Sequence, residues 1–157
     1  WKARQFDFVN RFIQLSGEIN TSMPDFVISK LVDALNDQKK SLNGSGILVL
    51  GIAYKKNVDD LRESPSLTII DKLLKKGARV SYHDPYIPAI PETRKFAFDL
   101  RSVSLTESVI QEADAVLILT DHDGIDYEQV VKNSRLFMDT RNVSKKFGEK
   151  YKNIFKS

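Results

Sequence analysis

Two rhythms of apolar and polar positions divide the chain. From residue 2 to about 36, Phe8, Phe12, Leu15, Ile19 and Met23, then Val27, Ile28, Leu31, Val32 and Leu35, recur at spacings of three and four. That is the period of an amphipathic helix. Pro24 interrupts the stripe, so it either kinks one long helix or opens a second one capped by Ser22. Beyond a polar stretch at 36–45, read as a linker, the rhythm changes. Ile47, Leu48, Val49 and Leu50 do not alternate, which predicts a strand covered on both faces, as in parallel α/β sheets. Residues 115–119 repeat that pattern and predict a central strand. Residues 79–83, ending at Asp84 and Pro85, predict another strand, and Leu136, Phe137 and Met138 a further one.

Helices are signalled between these strands. Ser64 is read as an N-cap and Pro65 as the first helical residue, with Leu67, Ile69, Ile70, Leu73 and Leu74 as the buried stripe and Gly77 as the stop. Ser104 with Glu107 predicts a capping box for a helix ending near Glu112, and Asp126 with Gln129 opens a short helix. Prolines 85, 88 and 91 mark a loop, 96–103 offers one short strand, and a lysine-rich tail ends in Ile154 and Phe155. The expected fold class is α/β: a Rossmann-like open parallel sheet flanked by helices and preceded by a long helix.

Composition narrows the function classes. A chain of 157 residues with 41% apolar and 29% charged residues suits one sizeable core plus an appendage. A net charge of +3, with basic residues interleaved among 21 acidic ones, argues against nucleic acid as a partner. Zero cysteines excludes a disulfide framework and a thiolate metal site, and His83 and His122 are the only imidazoles. No metal site is expected. No apolar run approaches the ~20 residues that span a bilayer, so no membrane partner is expected and a cytoplasmic setting fits. The chain begins at Trp1 with a helical pattern already under way and no N-cap before it, which predicts a fragment of a longer protein.

Candidate chemistry lies at the strand ends. If the sheet is parallel, Lys55 and Lys56 after the first strand, Thr120 and His122 after the central one, and Arg141 after the last share one edge, joined by Arg62. A helix N-terminus points at the same edge, which favours phosphate. The edge is expected to carry more cations than anions and to match a diphosphate. Gly51 lacks the second and third glycines of G-x-G-x-x-G, so side chains rather than bare backbone would hold that phosphate. Asp59 and Asp60 read as loop-shaping groups, and Asp84 as a turn opener before proline, with a ribose-binding role as its alternative. His122 reads as a loop stabiliser rather than a general base.

The segment GIAYKKNVDDLRESPS, with SYHDPYIP, TDHD and MDTRN after it, resembles the C-terminal, UDP-binding part of the UDP-glucose/GDP-mannose dehydrogenase family. Within that family the wording is most similar to bacterial UDP-N-acetylglucosamine 6-dehydrogenases, and FVNRFIQLSGEINTSMPDFV resembles the end of the central dimerisation helix. The resemblance implies a division into a central helix region, 1–42, and a UDP-sugar-binding domain, 43–157. It implies that Tyr54, Lys55 and Arg141 contact the UDP-sugar and that Arg62 reaches NAD, the cofactor being held mainly by a domain upstream of Trp1. The whole protein would then oxidise C6 of UDP-N-acetylglucosamine, UDP-N-acetylmannosamine or UDP-glucose in two NAD-dependent steps. The catalytic cysteine would also lie upstream, so no catalytic residue is expected here and this chain alone would be inactive. A homodimer through the long helix is implied too. The competing expectations are a non-catalytic nucleotide-binding module and a receiver-like signalling domain. The second fits poorly, because the central strand ends in Thr120 instead of a phosphorylatable aspartate.

Overall fold

The computed structural model describes residues 11–92 and 95–156. The helix α1 runs over Arg11–Asp37 without a break at Pro24, so the helix with an internal proline is the arrangement found. Ser22 does not cap a second helix; its hydroxyl donates back to the Ile19 carbonyl within α1. The expected start at residue 2, with Trp1, Phe6 and Phe8, lies outside the described residues.

Five parallel strands follow: β1 (Gly46–Leu50), β2 (Arg79–His83), β3 (Ala115–Ile118), β4 (Phe137–Asp139) and β5 (Ile154–Lys156). Their spatial order is β2-β1-β3-β4-β5, so β3 is central, as its unbroken apolar run predicts. Helices α2 (Pro65–Lys75), α3 (Glu107–Glu112) and α4 (Tyr127–Asn133) complete a Rossmann-like α/β fold. Alternate strand residues face opposite sides. Ile47, Val49 and Leu117 pack with the second half of α1 and with α2, while Leu48, Leu50, Val116 and Ile118 pack with α3 and α4. Both faces of β1 and β3 are thereby dry.

Several expectations need correction. Leu74 is exposed rather than part of the α2 stripe, which Leu67, Ile69, Ile70 and Leu73 suffice to fill. Thr106, not Ser104, caps α3, accepting from the Val109 N–H; the cap sits one residue before Glu107, so no capping box forms. The 36–45 stretch is no loose linker. Leu42 and Ser45 are buried and Lys40 pairs with Asp114, fastening the end of α1 to the sheet. The tail supplies the unforeseen edge strand β5, whose Ile154 and Phe155 are half-buried. Between 96 and 103 there are only isolated bridges, Ser102 with Tyr82 and Arg101 with Ala89. No helix among the described residues is long and apolar enough to cross a membrane.

Candidate nucleotide-binding edge

The strand order 2-1-3-4-5 has its switch point between β1 and β3, where open α/β sheets place ligands beyond the carboxyl ends of their strands. Flavodoxin-like and receiver domains share this order, so topology alone does not choose between binding and signalling. The residues do: Thr120 follows the central strand and donates its hydroxyl to the Ala53 carbonyl at 2.6 Å.

Protein atoms, not ligand-sized space, occupy the crevice floor. Gly51 has φ +71°, and a Cβ built there would lie 2.1 Å from the Thr120 carbonyl oxygen. That glycine lets β1 and β3 approach one another rather than letting a phosphate approach β1. The free N–H groups are largely spoken for as well. Ser64 caps α2 by accepting from Ser66 N–H and donates its own hydroxyl to the Ile52 carbonyl.

Buried carboxylates collect the remaining donors. Asp84, 2% exposed, accepts from the Ile52 and Ala53 N–H groups through one oxygen and from the Tyr86 and Ile87 N–H groups through the other. His122, fully buried, also meets Asp84, with Nε2 3.0 Å from Oδ2. Because His122 Nδ1 accepts from Asn57 N–H, the proton sits on Nε2 and is donated to Asp84. Burial works against the Asp84 charge, but the His122 and backbone hydrogen bonds outweigh it and hold its pKa below the usual carboxylate range. Asp84 is therefore a structural hub, and the alternative of a ribose ligand does not hold. Neighbouring Tyr82, whose hydroxyl donates to the Ile87 carbonyl, has its pKa pushed up to about 12 by burial.

Asp139 repeats the device at the end of β4, accepting from the N–H groups of Arg141, Val143 and Ser144 and from the Ser144 hydroxyl. It shapes the turn that presents Arg141, with Asn142 left-handed at φ 59°. Nothing in the sequence reading singled out Asp139. Its signal is an aspartate at the carboxyl end of a strand, where Asp139 closes β4 and Asp84 directly follows β2.

Lys55, Lys56 and Arg141 do share the carboxyl edge, following β1 and β4, which lie two strands apart, or about 10 Å. The expected excess of cations is absent. Arg141 Nε donates to Asp121 at 2.8 Å, Lys56 pairs with Asp123 at 3.1 Å, and Arg62 grips Asp60 through Nε and a terminal nitrogen. The hydrogen bonds from Arg62 lower the Asp60 pKa to about 2. Those from Asn57, then Lys56, hold Asp123 below its ordinary range. Asp60 thus shapes its loop, as expected, while Asp59 is exposed. Lys55 alone of the four cations makes no salt bridge among the described residues; its ammonium lies 5.8 Å from the centroid of the half-exposed Tyr54 ring. A groove between 59–62 and 86–91, lined by Asp60, Arg62, Tyr86 and Pro88, opens beside these groups. No group of three or more metal-ligating side chains occurs among the described residues.

Residues 48–146 match the UDP-glucose/GDP-mannose dehydrogenase family, UDP binding domain. A UDP-N-acetyl-D-mannosamine dehydrogenase of Methanococcus maripaludis is 34% identical over 142 residues, 85% of this chain and 30% of that protein. A UDP-glucose 6-dehydrogenase of Rhizobium meliloti is 28% identical over 92% of this chain and 33% of its own. Among solved structures, an NDP-N-acetyl-D-galactosaminuronic acid dehydrogenase from Methanosarcina mazei superposes with a TM-score of 0.74 at 29% identity, covering 91% of this chain and 30% of that one. The chain spans about a third of the length of these relatives. It belongs to the UDP-glucose/GDP-mannose dehydrogenase family, whose UDP binding domain it carries.

Proposed function

We propose that this chain is the nucleotide-sugar half of an NAD-dependent UDP-sugar 6-dehydrogenase, which oxidises the C6 hydroxymethyl of its substrate to a carboxylate. The observation that carries this reading is the family match over the region holding both Lys55 and Arg141. The substrate class is a UDP-linked 2-acetamido sugar or glucose. The relatives' names support N-acetylmannosamine and glucose, and N-acetylglucosamine, favoured by the wording AYKKNVDD, belongs to the same class.

Each site residue has a role in chemical terms. Lys55, which makes no salt bridge among the described residues, supplies a positive charge to the diphosphate, and Arg141 exchanges Asp121 for a phosphate oxygen, both forming charge-assisted hydrogen bonds. Tyr54 covers part of the substrate with its half-exposed ring. Arg62, its side chain 88% exposed, exchanges its Asp60 contact for NAD held by a domain outside this chain. That exposure suits the group, because Arg62 projects from the 51–64 loop instead of folding into the core. NAD, when bound, supplies the hydride acceptor. The residues here bind and orient the substrate, and the chain alone turns nothing over. A homodimer forms through α1, whose first half carries the exposed apolar side chains Phe12, Leu15, Ile19 and Met23.

Titration of the 157-residue chain with UDP by calorimetry tests the reading. Saturable binding, weakened about tenfold by Lys55→Ala and by Arg141→Ala, is expected from the loss of one charge-assisted contact each. Binding that neither substitution weakens would overturn the assignment.

A further inference from the structure

The 51–64 loop that carries Tyr54 and Lys55 is fastened at a second point, far from its base. At its base, Ile52 and Ala53 N–H groups meet Asp84, and Tyr54 N–H meets the Asp60 carbonyl. At its tip, three hydrogen bonds converge on Asn57. Its backbone N–H donates to His122 Nδ1 at 2.9 Å, its Nδ2 donates to Asp123 Oδ2 at 2.6 Å, and its Oδ1 accepts from Asp123 N–H at 3.0 Å. Asn57 holds a left-handed backbone, φ 62°, a conformation few residues other than glycine and asparagine tolerate. The other jaw of this clasp is rigid, since His122 is fully buried and its Nε2 is held by Asp84.

The clasp joins the loop after β1 to the turn after β3, across the switch point. We propose that Asn57 is a positioning residue that sets the place of Lys55 for the diphosphate; this rests on the substrate reading above. Two features carry the inference. Lys56, between Lys55 and Asn57, is drawn to Asp123 at 3.1 Å, so the same turn ties one lysine to a carboxylate and leaves the other with no salt bridge among the described residues. An asparagine is also the side chain this position needs, because its amide offers a donor to the Asp123 carboxylate and an acceptor to the Asp123 N–H at once. An aspartate would face the Asp123 carboxylate with like charge, and a glycine would keep the left-handed turn but lose both side-chain bonds.

A double-mutant cycle on the 157-residue chain, read by UDP calorimetry alongside the melting temperature, tests this. Asn57→Gly is expected to weaken UDP binding about tenfold while the chain stays folded, and Asn57→Asp to weaken it further. In a Lys55→Ala background, Asn57→Gly is expected to add less than about twofold, because the residue through which it acts is gone. Parent-like UDP binding by Asn57→Gly would overturn the inference, as would the same weakening with and without Lys55. If Lys55→Ala binds UDP as the parent does, or the parent gives no saturable signal, the substrate reading fails and the inference falls with it. If Lys55→Ala weakens binding and Asn57→Gly does not, the inference alone fails.

Discussion

Asp84 and Asp139 do, at two strand ends, what a ligand's phosphate does in glycine-rich loops: each gathers several backbone N–H groups around a negative charge. With those donors committed inside the protein, binding of an outside phosphate passes to side chains, Lys55 and Arg141 foremost. The buried carboxylate also makes a pH prediction. Because Asp84 has a lower pKa folded than its ordinary value of about 3.9, its stabilisation is complete above that value and is lost as pH falls through the folded pKa. Asp84→Asn should cost about 2–4 kcal/mol at pH 7, since an amide cannot accept all five hydrogen bonds and leaves buried donors unpaired. Denaturant unfolding followed from pH 7 down through the carboxylate range should show the gap between parent and variant narrowing. A gap that is absent at pH 7, or that persists undiminished in acid, would contradict this account. Sequence located Asp84 and His122 but not their partnership, because a bond between residues 38 apart depends on the strand order and not on local spacing.

At the scale of elements, α1 divides at Pro24. Its second half puts Val27, Ile28, Leu31, Ala34 and Leu35 into the core, and its Asp25 meets Lys72 of α2. Its first half leaves Phe12, Leu15, Ile19 and Met23 exposed, with Phe12 at 79%. A contiguous apolar stripe of this kind marks an interaction surface. The dimer proposal therefore predicts a concentration-dependent mass by sedimentation equilibrium. Ile19→Glu with Phe12→Glu should give a monomer of unchanged helix content, whereas a parent that stays monomeric across a wide concentration range would contradict it. The helical period was plain in the sequence, but period alone did not reveal which half of the stripe meets the core. The strands with unbroken apolar runs were legible for the opposite reason, since burial on both faces leaves no polar position to confuse the pattern. Strand β5, three residues long and half-buried at an edge, lacks that signal and is indistinguishable from a tail in the sequence.

For the whole molecule, the parallel sheet gives all its strand ends to one side and so lets residues distant in sequence act together. Lys55 and Arg141, 86 positions apart in the chain, arrive at the same edge because β1, β3 and β4 run the same way. That convergence followed from the sequence through topology rules. The pairing of Lys56, Arg62 and Arg141 with Asp123, Asp60 and Asp121 did not, because it depends on how the loops fold over the edge. The most direct test of the central claim is UDP titration of the ¹⁵N-labelled chain, followed by amide chemical shifts. Perturbations gathered in 51–64, 119–123 and 140–144 are predicted, whereas shifts at the opposite edge, around Ser45, Gly77 and Asp114, or none at saturating UDP, would contradict it.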